Sequence, residues 1–387
     1  MTKTRSNFRV AVLIDTSSGW GRDIIRGIHE FSKKQGGWQL FVEPRGIEES
    51  IELPRNWRGD GVIARVNRPE LARQLKSRRI PVVNVSAIQL PGANFPRVAS
   101  DTAEVARFAA RYFLGRGFRN FAYVGLQGHA YASHHRDAFL EAVRSNGRTF
   151  DEFDFVTSGF SQTPDWNFRI EKLASWLKGL PKPVAVLTWS GGREIIYACI
   201  QAKLAVPEQV ALLSGANDEL LCEVSPIPIS AVQQSCQEIG GQAAALLRHL
   251  MQGEKPPAGP RWISPLSVIT RQSTDSLAIT DSHLIAALNY ARNNSDQLIQ
   301  VGDLCEVSGL SRRLFERRFV ECLGQTPANY IRRLHIERAK KLLAETDLPV
   351  PEVASRSGFG SPEYFAFVLV RDVGLSPLRF RKAIRGW

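Results

Sequence analysis

Arg312, Arg313, Glu316 and Arg317 fall within six residues of one another, a set suited to one kind of chemistry. On a helix, Arg313 and Arg317 stand at i and i+4 and share a face. Guanidiniums in that arrangement suit guanine O6 and N7, and Glu316 suits the amino group of cytosine. The flanking Arg312 and Arg318 suit phosphates. An isolated run of arginines would by default be a solvated helix face. This run, however, lies inside a larger pattern that occurs twice, at residues 301–319 and 350–369. Each copy has a short apolar-periodic segment, then a glycine (Gly309, Gly358) where a tight turn needs positive φ. A serine (Ser311, Ser361) follows, placed to cap a second helix. That is the order of parts in a helix-turn-helix, and the two serines stand 50 residues apart.

Between the copies, residues 327–344 read as one helix, with Tyr330, Ile331, Leu334, Ala339, Leu342 and Leu343 as its apolar positions. Such a helix is a rod of roughly 27 Å. It can hold two second helices about one duplex turn, roughly 34 Å, apart on one side of DNA. In the second copy the exposed positions are Pro362, Glu363, Ala366 and Phe367. The proline is compatible with a first helical turn, and Glu363 opposes phosphate contact. The first copy is therefore expected to supply most base readout, and the second to dock on backbone or thymine methyls.

Gly309, Ser311, Phe315, Arg317, Phe319, Gly324, Pro327, Tyr330, Ala339, Gly358, Phe359, Ser361, Tyr364, Phe365, Gly374 and Pro377 carry a resemblance to the AraC/XylS transcription regulators over about a hundred residues. The resemblance implies a double-stranded DNA operator as partner, with RNA polymerase as a second partner if the protein is an activator.

The segments in front alternate strand-like apolar runs and amphipathic helices over some 220 residues, starting with the run at 8–14 and the helix at 22–33. Alternation of that kind specifies parallel sheets covered by helices on both faces. The count exceeds one sheet, so the expected fold is an α/β, two-lobed sensor of two parallel Rossmann-like sheets followed by an all-α double helix-turn-helix. The expected sensor is 1–274, with one lobe at about 1–118 and 230–254 and the other at about 119–229 and 255–274. A linker follows at 275–282, and the DNA-binding part covers 283–387. A helix is expected over 230–252 and a last strand over 262–269.

Arg22-Asp23-Ile24-Ile25-Arg26-Gly27, Gly59-Asp60-Gly61-Val62-Ile63, Val98-Ala99-Ser100-Asp101 and Arg271-Gln272-Ser273-Thr274 make this front part resemble the ligand-binding domain of LacI/GalR repressors, itself like periplasmic sugar-binding proteins. The resemblance implies a small-molecule effector, such as a sugar, held between the lobes. Trp20 and Arg22 fall in the first cleft loop as ring and guanidinium, and Asp101 falls at a crossover between lobes. Three family ligand positions are altered. His135, with Arg136 beside it, replaces an arginine; Trp189 and Ala216 each replace an aspartate. Asn217 and Asp218 remain near enough to reach the cleft. Each lost charge-assisted bond is worth roughly 1.5–3 kcal/mol, so a less polar ligand, a different sugar or no ligand fits better than the family's usual sugar.

The net charge of +12 is spread along the chain: 16 Lys/Arg and 11 Asp/Glu lie from His283 onward, against 34 and 27 before it. The excess favours weak attraction to polyanions without singling out a domain. Five scattered cysteines argue against a disulfide framework or a zinc site, and the neighbours His134 and His135 do not make a metal site. No cofactor is expected. No run reaches signal-peptide or membrane-spanning length, so a cytoplasmic homodimer paired through the front part is expected. Two alternatives stay open: a ligand-independent DNA binder whose front part only dimerises, and an enzyme carrying a DNA-binding tail. The second lacks a nucleophile elbow or a dinucleotide-binding glycine motif.

Overall fold

The computed structural model describes residues 8–35, 37–46, 52–126, 130–144, 149–155, 166–189, 191–275 and 281–385. The chain opens with β1 (Arg9–Leu13), α1 (Gly19–Lys34), β2 (Gln39–Val42), β3 (Gly61–Ala64), α2 (Pro69–Ser77), β4 (Val82–Asn84) and β5 (Val98–Ser100). It crosses to a second lobe for α3 (Thr102–Leu114), β6 (Asn120–Leu126), α4 (Ala130–Arg144), β7 (Thr149–Phe155), α5 (Trp166–Gly179), β8 (Val184–Thr188), α6 (Gly192–Ala202), β9 (Val210–Ser214), α7 (Glu219–Glu223) and β10 (Ser230–Gln233). It returns for α8 (Cys236–Met251) and β11 (Arg261–Ile263), then crosses a third time to β12 (Ser267–Ile269) and a 3-10 turn at Gln272–Thr274.

In the first lobe β2-β1-β3-β4 are parallel, and β5 pairs with β11 beside them. The second lobe orders its strands β12-β10-β9-β8-β6-β7, with only β12 antiparallel. Each sheet is buried on both faces. One face of the second sheet packs Ile170, Leu173, Ile195 and Cys199; the other packs Val105, Phe113, Phe118 and Phe139. Full burial of each such side chain is worth about 1.5–3 kcal/mol, which is why the strands read as continuous apolar runs.

The lobe edges differ from the expectation. Helix α3 packs in the second lobe's core with Phe121 and Leu187, so the first crossover is at Ser100–Asp101 and not near residue 118. Ser230 opens a strand paired with β9, so the helix expected over 230–252 is a strand, a crossover and then α8. The strand expected over 262–269 is two strands in different sheets; Pro265 lies in the three-residue gap, where no ladder hydrogen bond is required of it. The three crossovers lie side by side. The Ser100 hydroxyl donates to Gln234 Oε1 at 2.6 Å, the Ser235 hydroxyl to Ser264 O at 2.6 Å, and Leu266 N to Gln233 O at 2.8 Å. Of the expected linker, residues 276–280 lie outside the described residues.

The last part holds α9 (Ser282–Asn293), α10 (Val301–Ser308), α11 (Arg312–Leu323), α12 (Pro327–Glu345), α13 (Val350–Ser355), α14 (Pro362–Val373) and α15 (Pro377–Arg385). Gly309 and Gly358 have φ of 67° and 73°, the left-handed region that a non-glycine residue resists. A Cβ at Gly358 would also strike Gln297 O and the His335 ring. Helix α12 serves two cores: Tyr330 and Ile331 pack with Phe315 and Phe319, while Ala339 and Leu343 pack with Phe365 and Phe380. Its 19 residues span about 28 Å. One rigid helix thus fixes the two helix-turn-helix units relative to each other.

Candidate functional site

The carboxyl ends of parallel strands are where open α/β sheets place ligands, and here they face one another. A cavity of about 390 Å³ between the lobes is lined from one side by Ser18, Trp20, Arg65 and Ser86, and from the other by Trp189, Ala216 and Asp218. Trp20 enters in the first turn of α1, and Trp189 directly after β8. The guanidinium expected from Arg22 is not in this lining. Arg22 donates to the carbonyls of Thr16 and Ser17, closing the loop before α1. Its place is taken by Arg65, the first residue after β3. Arg65 pairs with the buried Asp15 at 2.7 Å and stands 5.0 Å from the Trp20 ring centroid. Sequence reasoning missed this pair. The available signal was a charge immediately following a fully apolar strand, Gly61–Ala64, and another two residues beyond β1.

Asp218 lies in the cavity as expected, and its Oδ2 accepts from Gly19 N at 2.8 Å. This bond joins the lobes across the cleft, with a carboxylate at the positive end of α1. Asp101 does stand at the crossover, but its carboxylate caps α3 by accepting from Glu104 N at 2.9 Å and is not part of the lining. Asn217 faces away from the cavity, donating to Gln233 Oε1 at 2.7 Å and accepting from Arg271 at 3.1 Å. Arg136 turns outward to Asp137 and Glu152.

His135 is fully buried behind the cavity wall, its ring 5.0 Å from that of Trp189, centroid to centroid. The Tyr123 hydroxyl and His135 Nδ1 share a hydrogen bond of 2.9 Å, and Nε2 meets no partner among the described residues. Burial pulls the imidazole pKa down to about 3, so the ring is neutral in the fold. With the folded pKa below the unfolded value of about 6.5, acid protonates the unfolded chain first and destabilises the native state. Between pH 7.5 and pH 5 this site should remove about 2 kcal/mol of stability. Urea unfolding at both pH values checks it: His135→Phe should flatten the difference, and an unchanged pH slope would contradict it.

On the DNA-binding part, Arg313 and Arg317 are both exposed on α11, while Phe315 and Phe319 are buried beneath them. Glu316, expected to meet cytosine, accepts from Arg312 at 2.9 Å in this structure. Arg318, expected on phosphate, is half-buried and pairs with Asp281 at 3.2 Å; it ties α11 to the cap of α9. Ser361 caps α14 by accepting from Tyr364 N at 3.1 Å, with Pro362 in the first turn. Ser311 holds the equivalent place but its hydroxyl makes no cap bond, so α11 starts on its glycine turn and its packing. Glu363 and Phe367 are exposed on α14 and Ala366 is half-buried.

The two parts touch through α3. The Arg333 guanidinium of α12 lies on the carboxyl end of α3, donating to Arg111 O and Gly115 O at 3.4 Å each. Burial lowers its pKa from the usual arginine value; it faces carbonyls at the negative end of a helix. Gly115 leaves the space, since a Cβ there would collide with the guanidinium. The Lys340 ammonium stands 5.4 Å from the Phe108 ring centroid. Leu266, from the third crossover, packs against the core of the second helix-turn-helix.

Three family models match the chain: an XylR N-terminal domain over residues 9–103, a periplasmic binding protein-like domain over 110–274 and a helix-turn-helix domain over 304–383. The chain is 30% identical to the xylose operon regulatory protein of Haemophilus influenzae, covering 98% of this chain and 99% of that one. It is 28% identical to the protein of that name from Escherichia coli K12, over 96% of each. A solved structure of the xylose-binding transcription activator XylR matches at a TM-score of 0.63 and 27% identity, over 98% of both chains.

Proposed function

Because the chain belongs to the family of xylose operon regulatory proteins, and is a sugar-responsive, DNA-binding transcription regulator of a carbohydrate operon, we propose how its own residues couple the two halves. Effector closure of the lobes turns α3, which starts at a lobe crossover, and α3 carries α12 with it through Arg333. The observation that carries this reading is the Arg333 guanidinium seated on the α3 carbonyls, with Gly115 left open beneath it. A cavity of about 510 Å³ between the crossover strands and α12 leaves room for that shift.

The effector we propose is a sugar or sugar derivative that presents an apolar face to Trp20 and Trp189 and few hydroxyls to charge. Arg65 and Asp218 orient it, with Arg193 and Glu194 as the other charged groups of the lining, and xylose is expected to bind weakly where Trp189 and Ala216 stand in place of acids. The chain acts as a cytoplasmic homodimer joined through the sensor, whose α6 and α7 expose Tyr197, Ile200, Leu220 and Leu221. The operator is read chiefly by Arg313 and Arg317, and RNA polymerase is the further partner if the outcome is activation. Among the described residues no helix is long and apolar enough to cross a membrane.

A thermal-shift titration of the full chain with a panel of monosaccharides and sugar acids tests the sensor half. A ligand at a hundred times its Kd should add about 2.7 kcal/mol to stability, and Trp189→Ala should abolish most of it. If no sugar moves the transition, the cleft is not an effector site and the front part only dimerises.

A further inference from the structure

We propose that α14 reads thymine through the exposed ring of Phe367, which stands where α11 has Arg317, with Tyr364 and Val370 beside it. This rests on both second helices meeting major-groove edges. The 50-residue offset places Phe365 and Leu369 where α11 has Phe315 and Phe319, and all four are buried. The same offset puts Glu363 and Phe367 in the places of Arg313 and Arg317, so Phe367 occupies the outward face by register. Phe367 is 62% exposed, Tyr364 52% and Val370 47%. These residues at i, i+3 and i+6 form one apolar stripe on a helix that a purely solvated role would leave charged.

The occupant is duplex DNA. By register the stripe takes the outward positions of α14 that correspond to those of α11, and the 19-residue α12 between the two units is about 28 Å long, close to one duplex turn. In the major groove, thymine offers a methyl group beside the polar edges of the bases, and phenyl rings are suited to meet it. The Arg371 guanidinium lies 5.8 Å from the Phe367 ring centroid and pairs with Asp372 at 2.7 Å, closing the stripe with an ion pair. Glu363 at the first turn can accept from the amino group of a neighbouring cytosine. The two halves of the reader then ask for different bases: guanine under α11, thymine with cytosine under α14. The operator contacted by one chain is asymmetric.

The test uses the full chain and duplexes it selects from a random pool. Each thymine is replaced in turn by deoxyuridine, which lacks only the 5-methyl group. One or two thymines, about a turn from the guanine that Arg313→Ala stops reading, should each lose about fourfold in affinity, the equivalent of one buried methyl. Phe367→Ala should bind the thymine and uracil duplexes equally, while Arg313→Ala keeps the fourfold ratio. Phe367 is exposed, so its replacement leaves the core intact. The proposal is overturned if no thymine is sensitive, or if the ratio survives in Phe367→Ala. It is equally overturned if Phe367→Ala binds normally and only transcription falls, which would make the stripe a contact for RNA polymerase. If the chain selects no duplex at all, Arg313→Ala has nothing to lose, and the assignment of both helices to base edges fails with it.

Discussion

Replacing Arg313 with alanine should weaken binding to the preferred operator by about 1–3 kcal/mol, roughly 5- to 150-fold in Kd. The side chain is exposed on α11, one turn from Arg317, and both stand over a buried Phe315–Phe319 layer that holds the helix in place. Neither is locked in a close ion pair: Arg317 lies 3.9 Å from Glu321, both ends well exposed, and a surface pair of that kind contributes little. Arg313→Ala should therefore leave the melting temperature nearly unchanged while relaxing one base position. Arg312→Ala should instead reduce affinity evenly across sequences and lower the salt slope by about one. Fluorescence anisotropy on operator and random duplexes separates the two. An equal loss on random DNA for Arg313→Ala would show that it touches phosphate and not a base.

Arg333→Ala should disconnect sensor from reader. The wild-type coupling is expected to be about 1–3 kcal/mol, the usual range for two linked sites, and the variant should retain operator binding while losing most of the sugar dependence. The reason is local. Arg333 belongs to the helix that both helix-turn-helix units share, and its partners are the last carbonyls of a helix whose first residue follows the lobe crossover. Gly115→Ala is the companion variant. Its φ is −70°, so the backbone accepts alanine, and the added methyl displaces the guanidinium without removing its charge. If both variants respond to sugar as the wild type does, the signal takes another route, and the packing of Leu266 on the second reader unit is the next place to look.

The reader was legible because its grammar is short-range. A glycine at positive φ, a cap position and a buried apolar pair all fall within about a dozen residues at Gly309–Phe319, and again at Gly358–Leu369. The two-lobed sensor was legible for a similar reason, since strands buried on both faces announce themselves as apolar runs. What escaped depends on partners distant in sequence. Ser230–Gln233 joins a sheet edge that only β9 and β12 define, and nothing local separates it from the helix that follows. Arg261–Ile263 and Ser267–Ile269 look continuous until β5 and β10 claim one each. In the cleft, Trp20, Trp189 and Ala216 fell where a family position pointed, and Asp218 two residues beyond one. The Arg65–Asp15 pair needed the folded sheet to bring residues 50 apart together. His135 was expected at a ligand position, but the tertiary structure buries it against Trp189 and outside the cavity lining.

The most direct measurement is a linkage pair on the full chain: operator affinity at zero and at saturating sugar, and sugar affinity with and without operator. Each ligand should change the other's Kd by one and the same factor, between about 5 and 150. An operator Kd that saturating sugar leaves untouched would contradict the proposed coupling.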